Sequence, residues 1–134
     1  MKDNLENSRR WHRQAEYDLK EARRSFNSKS FAYAAFFAEQ AAQKSLKSYL
    51  IFKGEHYTTI HSVGELAKRC AKVSKKFLAL IKSAKTLDRH YIITRYPDAL
   101  PGPAIPAESY EDKEAREAIK IAAFIVRISK SLIK

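Results

Sequence analysis

The sequence predicts an all-α protein, an up-down antiparallel four-helix bundle with an additional short helix. Three observations carry this. Apolar residues recur at three- and four-residue steps over long stretches, the period of helices buried along one face. Three glycines and four prolines are too few for a loop-rich or all-β design. The breaks between striped segments are mostly short and polar, and short connections favour antiparallel neighbours.

The first helix is expected over residues 4–27, where Trp11, Ala15, Leu19, Ala22 and Phe26 form one apolar face and Arg9, Arg10, Arg13, Arg23 and Arg24 occupy the others. Asn27-Ser-Lys-Ser30 suits a chain reversal. The organising element follows at Phe31–Lys53, where positions 31, 35, 38, 42, 45, 49 and 52 alternate steps of four and three. Ala34, Phe37 and Ala41 widen its buried face, yet Glu39, Gln40, Gln43 and Lys44 sit in its middle turns. Gly54 is a natural C-terminal cap.

After a connector, Glu55–His61, the run Ser62-Val-Gly-Glu65 reads as a capping box opening a short helix, Val63–Lys72. Ser74 can cap a fourth helix, Lys75–Tyr91, with Phe77, Leu80 or Ile81, Ala84 and Leu87 or Asp88 inward. Thr94–Glu108 holds all four prolines and cannot be helical throughout; connections of that length are often functional. Ser109 followed by Asp112 is expected to start the last helix, which continues through Ala115, Ala118, Ala122, Ile125, Ser129 and Leu132.

At 134 residues the chain is expected to form one domain, 1–134, with a real core. A single cysteine excludes an internal disulfide and a multi-cysteine zinc site and fits a reducing compartment. The polar start predicts no signal peptide, and no apolar run approaches the ~20 residues of a membrane span. A cytoplasmic protein is expected. The net charge of +11 points to a polyanionic partner (RNA, DNA, a nucleotide or an acidic protein surface) or to lysines that merely solvate helices. Lys68, Arg69, Lys72, Lys75 and Lys76 form the densest basic run and are the candidate polyanion surface.

No metal-ligand spacing, glycine-rich phosphate loop or nucleophile elbow is present, so neither metal nor cofactor is expected. The candidate binding residues are Lys44, His61, Arg95 and Tyr96. Lys44, one turn from Gln40, either snorkels, pairs with an acid such as Glu39, or lines a pocket. His61 precedes the capping box, where a histidine is either a hydrogen-bonded structural group or a site residue. Tyr91, Arg95 and Tyr96 combine a planar cation with rings ahead of Pro97; they can stack on a base and hold a phosphate, or staple the long loop to the bundle.

Several runs together resemble the HEPN domain: Ala38-Glu-Gln-Ala-Ala-Gln-Lys-Ser-Leu-Lys47, then Gly54, then Thr59-Ile-His-Ser-Val-Gly-Glu-Leu66, then Leu87-Asp-Arg-His-Tyr-Ile-Ile-Thr-Arg-Tyr-Pro-Asp98. The resemblance implies a helical bundle like the C-terminal domain of kanamycin nucleotidyltransferase, usually dimeric and often encoded beside a minimal nucleotidyltransferase in two-component or toxin–antitoxin pairs. Alanine-rich stripes and aromatics such as Tyr33 would serve a homodimer. Ribonuclease members carry an arginine, then four to six residues, then a histidine. No arginine here precedes a histidine at that spacing, and Lys85, with four residues between it and His90, lacks the bidentate fork. The expected function is therefore a non-catalytic nucleotide- or RNA-binding and interaction module. The alternative is a metal-independent ribonuclease using His61 or His90 as base and Arg95 on the phosphorane.

Overall fold

The computed structural model describes residues 2–55 and 59–134, and the elements run α1 (Lys2–Asn27), α2 (Phe31–Phe52), α3 (Val63–Val73), α4 (Ile81–Leu87), α5 (Pro106–Ser109) and α6 (Asp112–Leu132). A 3-10 stretch, Lys75–Leu80, leads into α4, and 3-10 turns at Asp88–His90 and Pro97–Ala99 follow it. No strand occurs among the described residues. The result is the antiparallel bundle, with α1, α2, α6 and the composite 75–90 segment as its four members and α3 as the additional short helix. Residues 56–58 of the expected connector lie outside the described residues.

The periodic stripes become buried faces. Ala15, Leu19 and Ala22 of α1 and Ala115, Ala118, Ala122 and Ile125 of α6 are buried, and α2 packs against α1, α6 and α3. The six alanines of α2 are all 4% exposed or less, because methyl-sized side chains let neighbouring backbones close on them. They are thus used up inside the chain, while Tyr33, 55% exposed, stays at the surface.

The reversal between α1 and α2 is a Schellman turn. Ser30 N–H reaches Ser25 O, Lys29 N–H reaches Phe26 O, and Lys29 takes the left-handed conformation at φ 62°. The end of α2 repeats it with a glycine in that role: Glu55 N–H to Leu50 O, Gly54 N–H to Ile51 O, and Gly54 at φ 85°.

Two boundaries differ from expectation. The predicted continuous helix over 75–91 is split into a 3-10 stretch, Lys75–Leu80, then α4 and a 3-10 turn; Phe77 and Leu80, three residues apart, are buried in the tighter turn as they would be in an α-helix. The last helix starts at Asp112: Glu111 is its cap, in a reciprocal box with Glu114, while Ser109 Oγ donates to Ile105 O instead. The capping box at α3 is half realised. Ser62 Oγ accepts from Glu65 N–H at 3.1 Å, but the Glu65 carboxylate turns to Arg69 at 3.4 Å.

Asp88 completes the α3 cap from across the fold. Its Oδ1 accepts Val63 N–H at 2.6 Å, and its Oδ2 accepts Ser62 Oγ–H at 2.8 Å and Gly64 N–H at 3.3 Å. A carboxylate on the first amides of a helix satisfies donors that have no intrahelical partner. It also fixes the segment carrying Tyr91, Arg95 and Tyr96 against the start of α3, next to His61.

Candidate functional site

One face of α2 carries Glu39, Gln43 and Lys47 at successive i, i+4 positions, all buried. Gln43 joins the other two. Its Nε2 donates to Glu39 Oε2 at 3.0 Å, and its Oε1 accepts Lys47 Nζ at 2.9 Å. Gln40 Nε2 donates to the other Glu39 oxygen at 2.8 Å. Burial raises the Glu39 carboxyl to about 7, against the lowering by the two amides; Asp88 adds to the rise and Arg95 opposes it. Burial pushes the Lys47 ammonium down, opposed by Glu39 and reinforced by Lys44.

The amide is a junction. His61 Nδ1 lies 3.3 Å from the same Gln43 Oε1, and the His61 ring stacks on Tyr91 with centroids 5.3 Å apart. The Arg95 guanidinium sits 5.1 Å from the Tyr91 ring, 5.0 Å from Tyr96 and 4.3 Å from Phe36 of α2. On the other side, Lys47 Nζ lies over the Trp11 ring of α1 at 5.7 Å. A continuous band of rings and cations thus crosses α1, α2 and the segment after α4, from Trp11 to Tyr96.

Of the residues singled out from sequence, His61, Arg95 and Tyr96 come together through Tyr91. Lys44 does not join them. Its Nζ is bound to Asp18 Oδ2 of α1 at 2.6 Å, so its acid is Asp18 and not Glu39. It lines a separate cleft of ≈ 580 Å³ with Arg10, Trp11, Arg13, Gln14 and Tyr17. Arg95 Nε donates to Tyr91 O at 3.1 Å and Nη2 donates to the same carbonyl, so the arginine does staple its own turn. Nη1 keeps its donors without a hydrogen-bond partner among the described residues. The basic run is placed mainly at the surface: Lys68, Lys72, Lys75 and Lys76 are exposed, while Arg69 faces Glu65.

His90 does not fit the role of a general base. It is 3% exposed, its Nδ1 lies 2.7 Å from Tyr110 Oη, and burial, helped by Arg89, drops it to about 4. Trp11 and Lys47 are the residues the sequence reading passed over. The signal was present as the Glu39-Gln43-Lys47 spacing inside an alanine-rich helix.

The sequence profile of the HEPN domain matches residues 8–132. The chain belongs to the HEPN family. This HEPN protein is 24% identical over 139 residues to a Methanocaldococcus jannaschii protein named "Putative toxin MJ1304", covering 98% of this chain and 91% of that one. Its fold is similar to the crystal structure of TT1696 from Thermus thermophilus, with a TM-score of 0.83 at 34% identity over 93% of this chain and 97% of that one. ST0689, described as an archaeal HEPN homologue, superposes with a TM-score of 0.77 at 31% identity over 95% and 98%. Among the described residues no helix is long and apolar enough to cross a membrane, and no cluster of His, Cys, Asp and Glu could hold a metal.

Proposed function

We propose that this HEPN protein is a non-catalytic module that binds nucleotide or RNA and docks a partner, a minimal nucleotidyltransferase, as one half of a toxin–antitoxin type pair, and that it works as a homodimer in the cytoplasm. The observation that carries the binding reading is the cage around Arg95. A guanidinium held among Phe36, Tyr91 and Tyr96, with Nη1 uncommitted, offers a phosphate donor beside ring faces that stack on bases. The toxin name of the M. jannaschii relative supports the paired role. The exposed lysines of α3 and of the 3-10 stretch after it would add sequence-independent attraction.

Arg95→Ala tests it. Binding of a labelled RNA should weaken about tenfold, the loss of one charge-assisted contact, while helicity by circular dichroism is unchanged. Unchanged affinity with a lower melting temperature would leave Arg95 a staple only.

A second reading has one observation in its favour. His61 and Arg95 both contact Tyr91, which puts an imidazole and a guanidinium around one ring. A metal-independent ribonuclease would use them as base and charge stabiliser. It requires RNA cleavage that survives chelator and disappears in His61→Ala.

A further inference from the structure

The cleft between the N-terminal half of α1 and α2 combines cations with aromatic rings. Arg10, Arg13 and Lys44 supply cations, Trp11 and Tyr17 supply rings, and Gln14 supplies an amide. Its ≈ 580 Å³ lies within the range of small-ligand sites, about 300–1,000 Å³. The charges are not all neutralised internally. Lys44 is paired with Asp18, but neither Arg10 nor Arg13 pairs with a carboxylate among the described residues.

Two further features indicate which way a ligand would lie. Lys47 covers the Trp11 ring from within the protein, so the indole is held in place before anything binds. Arg13 also lines a neighbouring cavity with Arg9, His12, Glu16, Lys130 and Ile133, where Lys130 is paired with Glu16 at 3.2 Å. His12 there is 6% exposed, and neither ring nitrogen has a hydrogen-bond partner; Nε2 is 3.9 Å from Glu16 Oε2, beyond hydrogen-bond reach. The Glu16 carboxylate already occupies that cavity, so the cations left for a phosphate are Arg10 and Arg13 of the cleft itself.

We infer that this cleft is a nucleotide subsite, with a base stacked on Trp11 and its phosphate held by Arg10 and Arg13. It rests on the nucleotide-binding reading above and gives that reading a place for a base on α1, apart from the Arg95 cage. The chemistry is a planar base joined to a phosphate, whether in a free nucleotide or in a single strand of RNA. Stacking on the indole holds the base, and the two arginines select for phosphate over an uncharged nucleoside.

Trp11 is the chain's one tryptophan, so tryptophan emission arises from the wall of this cleft. The experiment titrates the full chain with AMP, with adenosine, and with a dye-labelled hexauridylate, reading tryptophan emission and strand anisotropy in parallel. Arg10→Ala/Arg13→Ala is compared with a charge-matched control, Lys68→Ala/Lys72→Ala. The expected result is saturable quenching that falls about tenfold or more in the arginine variant and less than about threefold in the control. Quenching by AMP assigns the subsite to free nucleotide, and quenching only by the strand assigns it to RNA. Strand binding without a change in emission overturns the subsite and leaves RNA binding standing, as does equal loss in both variants. Wild-type protein that binds neither AMP nor the strand overturns both.

Discussion

Replacing Glu39 by Gln should change how stability depends on pH more than it changes stability itself. Glu39 is fully buried with a carboxyl at about 7, well above the ordinary 4.5, so the folded state holds a proton that the unfolded state has already released between those values. Stability from this group is greatest in acid and falls as pH rises through 7. His90 runs the other way. At about 4 against the ordinary 6.5 it stays neutral in the fold while the unfolded chain takes up a proton, so its contribution rises with pH and is complete above 6.5. Between about pH 5 and pH 7.5 each changes stability by roughly 2 kcal/mol, in opposite directions, and His12, also held below its ordinary value by burial, adds to the rise. Glu39→Gln removes the falling component, so stability should then rise by roughly 2 kcal/mol more across that window than in the native protein. Gln40 and Gln43 both donate to Glu39, and an amide can accept at only one of its two ends, so a constant offset of about 1–2 kcal/mol is expected as well. Urea unfolding at four pH values separates slope from offset. A variant profile parallel to that of the native protein would refute the assignment of a near-neutral carboxyl to this site.

Three more outcomes follow from the geometry. Asp88→Ala strips the cap from Val63 and Gly64 and should cost about 1–2 kcal/mol, read as a lower urea midpoint. Gly64→Ala should also destabilise, by about 1–3 kcal/mol despite the better helix propensity of alanine, because its Cβ would stand 2.7 Å from Lys85 Cγ and 3.3 Å from Lys85 Cα. The Cys70 thiol is buried, held above its ordinary value chiefly by desolvation, and contacts Leu46 O at 3.6 Å. It should resist alkylation in the folded protein and react promptly in urea, as mass spectrometry of timed samples would show.

The long helices were legible because periodicity is a local property and α1, α2 and α6 each bury a stripe over five or more turns. Gly54 as a cap was legible for the same reason, since its role depends on its own backbone. The split of the 75–91 segment was not, because 3-10 and α-helical turns both put Phe77 and Leu80 on one side. The site was half legible. Arg95 with Tyr96, and His61 near a helix start, can be read along the chain. Their convergence on Tyr91 cannot, nor can the roof that Phe36 forms over Arg95, because those partners are tens of residues away. Lys44 shows the same limit: its acid, Asp18, lies on another helix and could not be chosen over the adjacent Glu39 from sequence.

The three-residue reversal between α1 and α2 also bears on the order of assembly. These two helices are neighbours in sequence, so their pairing closes little chain, whereas α6 reaches α2 only after some sixty intervening residues have been ordered. A hairpin of α1 and α2 can therefore form early and wait. Six of the residues that α2 buries are alanines, which expose little apolar area before their partners arrive. The small side chains that allow tight packing in the finished bundle would also keep its half-built precursor from aggregating.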